Sequence, residues 1–288
     1  MGMVNLLIAL TLGLTSLISE AGGVRFSLVK TAETRPLDAF SLARSQESQG
    51  AVADHVAVLI EHHAATLLFD TSLGRQIDSQ FANEMPWYNK PLLKGVEVAP
   101  VRDQLERHGV RVDRILLSHV HWHSASGLAD FPEVPVWAPY EEIEFSQTGG
   151  APAVLSGQFR HGVKWRPYDF LPRPFMGFEQ SHDLFGDGSL VLVPLKGHTP
   201  GSVGLFVTLE DGRRFFFPGD IGGLPESAEE SPKQRLIRSR MLDHDRAAAR
   251  STLARLQQLL SQESALTLVP AHDAIAHEKL GYYPNWTR

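Results

Sequence analysis

The chain contains no cysteine. That one absence excludes disulfides, thiolate metal sites, iron–sulfur clusters and cysteine nucleophiles together. No apolar run reaches the roughly 20 residues that a membrane-spanning helix needs, and no repeat or low-complexity tract divides the sequence. There is no G-x-x-x-x-G-K-[ST] phosphate loop and no dinucleotide fingerprint. Basic residues are the minority, 27 Lys+Arg against 33 Asp+Glu for a net charge of −6, so the electrostatic footprint of a nucleic-acid binder is missing. A serine-hydrolase elbow is missing too, because Trp122 and Ser124 stand where G-x-S-x-G around Ser124 or Ser126 would need its first glycine.

What remains is ordinary in bulk: 288 residues, 43% hydrophobic and 21% charged, the composition of a folded soluble protein. At roughly 150 residues per domain the length fits one large α/β domain or two smaller ones. The unusual count is 13 histidines. Without thiolates, any transition-metal chemistry has to use imidazole and carboxylate.

The N-terminus is set apart from the rest. Leu6–Ile18 is an uncharged run of 13 residues, and Ser19-Glu20-Ala21 places small residues at the −3 and −1 positions of a cleavage site. Residues 1–21 therefore read as a signal peptide or N-terminal apolar segment, and residues 22–288 as a single domain in a periplasmic or secreted protein. The alternative is an apolar first element of a cytoplasmic domain.

Short apolar strands alternate with amphipathic helices from there on. Val56–Ile60 and Thr66–Phe69 flank a polar turn and predict a hairpin. Val98 to His108 has helical spacing, and Arg111–Leu117, Leu190–Leu195, Gly204–Leu209, Arg214–Phe217 and Ala265–Val269 read as strands. Asp245 to Leu260 is the clearest helix, with Ala249, Leu253, Leu256 and Leu260 on one face. Alternation of this kind predicts a layered α/β fold.

Four of these strands run into a metal-capable residue just past their C-terminal ends: His119, His198, Asp220 and His272. Ligands of α/β sheets gather outside strand ends. The densest segment is Ser118-His119-Val120-His121-Trp122-His123-Ser124-Ala125-Ser126-Gly127. In extended chain, alternate side chains share a face, so His119, His121 and His123 are expected to point into one cavity. His55, His62, His63, His108, His161, His182, His244 and His277 lack a strand-end context and are expected to be solvent-facing or hydrogen-bonded.

On these residues the sequence resembles the metallo-β-lactamase-fold hydrolases. The family's H-x-H-x-D-H motif stands here as His119-Val120-His121-Trp122-His123-Ser124. Leu67-Leu68-Phe69-Asp70-Thr71 is like the early strand ending in Asp. Gly197-His198-Thr199-Pro200-Gly201-Ser202 matches the GHTPGS loop, Phe217-Pro218-Gly219-Asp220 the strand-end Asp, and Val269-Pro270-Ala271-His272-Asp273 the final P-x-H. The resemblance implies a four-layer αβ/βα sandwich with one or two divalent metal ions at its edge. Zinc is the expected ion, with iron, cobalt and manganese open.

Carried across, His119, His121 and His198 would hold one ion and Asp220 would bridge to a second. Of the second set, the late histidine persists as His272. The motif Asp is His123 here and the motif His is Ser124, so the two subsites are expected to be unequal, with His123 the only replacement on offer. His123 and Asp220 are the expected catalytic residues, His123 as a neutral base in place of the missing carboxylate. Asp70 is expected to support the site by hydrogen bonding.

The implied activity is hydrolysis of a small molecule by metal-activated water. His182-Asp183-Leu184-Phe185-Gly186-Asp187-Gly188-Ser189 resembles the lactonase-like branch, which favours an ester or lactone. The alternatives are an exported β-lactamase or phosphodiesterase of the same fold, or a catalytically silent binding protein. Phe81–Leu93, with Met85, Trp87 and Tyr88, is expected to form an apolar wall, and Tyr140–His182 a lid or pocket side.

Overall fold

The computed structural model describes residues 23–34, 53–221 and 243–288. The expected leader, residues 1–21, lies outside the described residues. Among the described residues no helix is long and apolar enough to cross a membrane.

Two mixed sheets form the centre. The first has six strands in the order β1 (Arg25–Thr34), β2 (Ala53–His62), β3 (Ala65–Phe69), β4 (Arg114–Leu116), β5 (Val136–Pro139) and β6 (Trp165–Tyr168). The second takes the five remaining strands in reverse spatial order: β11 (Leu266–Leu268), β10 (Arg214–Phe217), β9 (Val203–Thr208), β8 (Leu190–Pro194) and β7 (His182–Asp183). β2 and β3 form the expected hairpin, paired antiparallel from Val58↔Phe69 to His62↔Ala65.

The layering follows from period-two patterning. Leu190 and Leu192 join Val203, Leu205 and Val207 in a core between the sheets, against Phe26, Leu28, Val58, Ile60, Leu67 and Phe69 of the first sheet. The alternate residues Val191, Val193 and Phe206 face outward onto Leu256 and Leu259 of the helix Arg246–Gln262. On the far side of the first sheet, Val29, Leu59, Leu68 and Ile115 pack on Val101 and Leu105 of the helix Val101–Glu106. Helix, sheet, sheet, helix is the four-layer αβ/βα sandwich. The helix Arg246–Gln262 starts where Asp245 caps it, its carboxylate accepting from the amides of Ala247 and Ala248 at 2.8 and 3.1 Å.

The topology brings one set of chain ends to one edge. β3, β4, β5 and β6 run parallel, as do β10 and β11, while β9 is antiparallel to both β8 and β10. The C-terminal ends of β8, β10 and β11 therefore share an edge. Because β2 is antiparallel to β3, it is the start of β2, not its end, that lies beside the end of β3.

Tyr140–His182 is scaffold for much of its length: Tyr140–Thr148 is a helix and Trp165–Tyr168 is the outer strand β6. In the segment Phe81–Leu93, Phe81, Met85 and Leu93 are buried, while Trp87 and Tyr88 are 81% and 55% exposed.

Candidate metal centre

Strand ends deliver most of the site. Asp70 follows β3, His119 follows β4, His198 follows β8, Asp220 follows β10 and His272 follows β11. His123 arrives differently from the expectation of an extended chain. Residues Trp122–Ala125 form a single helical turn with His121 extended at its N-cap, so a turn of the backbone, not strand alternation, swings His123 in.

One ligand atom each of His119, His121, His198 and Asp220 lies within 4.8 Å of the others, and the same holds for His123, Asp220 and His272. Asp220 belongs to both groups. Its Oδ2 lies 3.8 Å from His119 Nε2, 3.7 Å from His198 Nε2 and 3.2 Å from His123 Nε2, and its Oδ1 lies 3.1 Å from His272 Nε2. Burial holds the imidazoles of His119 and His121 well below their ordinary pKa, with neighbouring histidines adding to the effect on both; the attraction of Asp220 only partly offsets it. Burial lowers His123 as well, again against the pull of Asp220. Burial alone would raise Asp220, but His123 and His272 outweigh it and keep the carboxyl well below the usual range. The result is neutral imidazoles at His119, His121 and His123 beside an ionised Asp220, the protonation states that metal ligation requires.

The donor set fits a cation on a second count. Nε2 of His119 and Nε2 of His198 are buried without a hydrogen-bond partner among the described residues. Buried polar atoms are almost always satisfied, and here the unsatisfied ones converge on the same point. A third grouping, His62, His63 and Asp187, differs. There His62 Nδ1 accepts from the Ala64 amide, so Nε2 carries the hydrogen and donates to Asp187 Oδ2 at 2.9 Å. Both nitrogens of His62 are satisfied, one of them by Asp187.

Contacts behind the ligands set their orientation. His198 Nδ1 lies 3.1 Å from Asp243 Oδ1, and His272 Nδ1 donates to the Asp54 carbonyl at 2.7 Å, leaving each Nε2 for the site. With Asp70 ionised, Ser118 donates its hydroxyl to Asp70 Oδ2 at 2.6 Å and accepts from His119 Nδ1 at 2.8 Å. Asp70 Oδ1 also accepts from the Ser118 amide at 2.7 Å. Asp70 thus has the supporting position expected of it, in a left-handed backbone conformation (φ 63°) that aspartate tolerates better than most residues.

A family model described as the metallo-beta-lactamase superfamily matches residues 51–272. The chain belongs to the metallo-beta-lactamase superfamily. Two curated relatives, from Mycobacterium tuberculosis and Mycobacterium bovis, are each named a probable metallo-hydrolase and are 28% identical over 235 residues, 75% of this chain and 73% of theirs. Among solved structures, an N-acyl homoserine lactone hydrolase with N-hexanoyl-L-homoserine at its catalytic metal centre superposes with a TM-score of 0.63 at 15% identity, covering 91% of this chain and 98% of that one. A Bacillus thuringiensis protein, AiiA, with N-decanoyl-L-homoserine bound gives 0.64 at 16% identity, covering 91% and 98%. The dizinc lactonase AidC gives 0.57 at 14%, covering 91% and 89%. At these identities the likeness is one of fold.

Within the superfamily's scaffold, two residues at this site had no sequence signal. Glu142, on the helix Tyr140–Thr148, is fully buried, and its carboxylate accepts from Val120 N at 2.7 Å, Thr199 Oγ1 at 2.7 Å and Gly201 N at 2.9 Å. It ties the His119–His121 loop to the GHTPGS loop. The approach is so close that a Cβ on Gly201 would lie 2.6 Å from the Glu142 amide nitrogen, which explains glycine there. Burial pushes Glu142 up to about 7, against its hydrogen bonds from Thr199, Val120 and Gly201. The second residue is His55, expected to be solvent-facing or hydrogen-bonded. It is buried, hydrogen-bonded through Nε2 to Thr34 Oγ1 at 3.0 Å, and borders the second ligand group.

Proposed function

We propose that this metallo-hydrolase cleaves a carboxylic ester of the lactone type. The observation that carries the reading is the convergence of His119, His121, His198, Asp220, His123 and His272 in two ligand groups joined by Asp220. Divalent ions held there, zinc first among them, would lower the pKa of a bound water from 15.7 toward about 7 and polarise the scissile carbonyl.

The chain's own contribution is placement. His119, His121 and His198 present ring nitrogens to one subsite, and His123 and His272 to the other, while Asp220 supplies the anionic charge between them. His123 Nε2 faces Asp220 at 3.2 Å, which supports a ligand role for the residue that replaces the family's aspartate. Next to it, Trp122 meets Phe81 edge-on at 4.8 Å. Phe81 in turn lines a cleft of about 370 Å³ with Trp87 and Leu93, an apolar surface suited to an acyl substituent. The lactonase structures sharing the fold support the same substrate class.

The test is a panel of acylated γ-lactones, aryl esters, phosphodiesters, thioesters and β-lactams given to zinc-reconstituted protein. Lactone or ester turnover that a chelator abolishes and zinc restores is expected. Absence of turnover across the whole panel would leave a silent binding protein. We also propose export on the strength of Leu6–Ile18 and the small residues Ser19 and Ala21, checked by fractionating cells that express the full-length chain.

A further inference from the structure

The second ligand group is short of a residue. Ser124 stands where the superfamily motif has an imidazole, which leaves His123, Asp220 and His272 as its protein ligands.

His55 lies against that gap. It sits near the start of β2, at the edge where the strands β3, β4, β8, β10 and β11 end. Its Nδ1 is buried and has no hydrogen-bond partner among the described residues, while Nε2 is held by Thr34. Its ring centroid is 5.2 Å from that of His272 and 6.3 Å from that of His123. The three histidines of the first group show centroid spacings of 4.7, 5.0 and 4.4 Å, and His123 and His272 are 4.9 Å apart, so the 5.2 Å between His55 and His272 is of the same order, as is the 5.2 Å between His119 and His123 across the two groups.

The backbone holds this pair together. The carbonyl of Asp54, the residue before His55, accepts from His272 Nδ1 at 2.7 Å, and Ala53 pairs with Asp273 in an isolated antiparallel bridge. Packing alone, against Trp122 at 6.1 Å, would explain a ring here but not an orphaned nitrogen inside it.

We propose that His55 is the fourth protein ligand of the second subsite, binding through Nδ1 the ion held by His123, Asp220 and His272 in place of the imidazole lost at Ser124. The inference rests on the metallo-hydrolase reading above. His55 lies outside the 4.8 Å grouping, so ligation requires its ring to tip toward His272 while Thr34 keeps the other nitrogen.

The experiment is metal content per chain, by elemental analysis after dialysis, on the full chain reconstituted with zinc and separately with cobalt. The wild type is compared with His55→Ala, with His55→Phe, which keeps a ring against Trp122 but offers no nitrogen, and with Thr34→Val. Circular dichroism reports folding. Two ions are expected in the wild type, whereas Thr34→Val, which releases the nitrogen that orients His55, should weaken the second ion while sparing the first. The two His55 variants should keep the first ion and bind the second at least roughly tenfold more weakly, with loss of its cobalt absorption bands. Two ions held with wild-type affinity by a folded His55→Phe would overturn the inference. A wild type that takes up only one ion would also overturn it while leaving the metallo-hydrolase reading intact, and one that takes up none would overturn both.

Discussion

Ser118 joins Asp70 to the metal centre: its hydroxyl donates to Asp70 Oδ2 at 2.6 Å and its amide to Oδ1 at 2.7 Å. A hydroxyl whose only hydrogen is spent on a carboxylate has just lone pairs left for His119 Nδ1, 2.8 Å away. Above about pH 7, to which burial raises Asp70, the carboxylate is ionised and that nitrogen carries the proton, so Nε2 of His119 is left as a lone pair facing Asp220.

Ser118→Ala removes the relay without touching a ligand. Loss of a contact of this kind typically costs 10–100-fold in metal affinity. We expect zinc bound by His119, His121, His198 and Asp220 to weaken by that order, measured by competition with a chromogenic chelator. An affinity equal to the wild type would show that His119 needs no such orientation.

Asp220 is the one residue common to both ligand groups, whereas His272 belongs only to the second. Asp220→Asn keeps the shape but withdraws the charge, and both ions should weaken together in elemental analysis of the dialysed protein. His272→Ala should leave one ion in place. If Asp220→Asn lost only a single ion, the shared role of this carboxylate would be wrong.

Glu142 yields a pH signature. Burial raises its folded pKa from 4.5 to about 7. A group raised in this way contributes stability that is complete below the unfolded value and lost as pH rises through the folded one. Glu142→Gln cannot ionise, and its amide offers one acceptor oxygen to three donors, so the variant should be less stable at acid pH. Between about pH 4.5 and 7 the wild type's advantage should shrink, at no more than ~1.4 kcal/mol per pH unit. Denaturant unfolding of both metal-stripped proteins across that range measures it, and a gap that stays constant with pH would contradict the assignment.

The features legible in the sequence were those written in consecutive residues. Leu190–Leu195 and Gly204–Leu209 alternate because each strand has one face on the inter-sheet core and the other on the helix Arg246–Gln262, and Asp245 marks that helix's start with a cap. His119, His198, Asp220 and His272 stood out because a strand leads into each. Trp165–Tyr168 carries a Pro and an Arg in four residues and has no apolar period, so its place as the outer strand β6 was invisible. His123 was readable as a candidate, but the helical turn that swings it toward Asp220 was not.

His55 and Glu142 show where reading along the chain stops. Strand ends point to the site in parallel strands, but β2 runs the other way, so its beginning reaches the edge and nothing in Asp54-His55-Val56 announces it. Glu142 reads as one charge among several on a short helix until the fold buries it under two loops that start far away in sequence. The amino-acid order by itself determined the period-two strands, the exclusion of thiolate chemistry and the ordered set of imidazoles and carboxylate. Only the tertiary structure decided which of the histidines meet, because the direction of a strand and the crossing of two sheets are set by packing between distant segments.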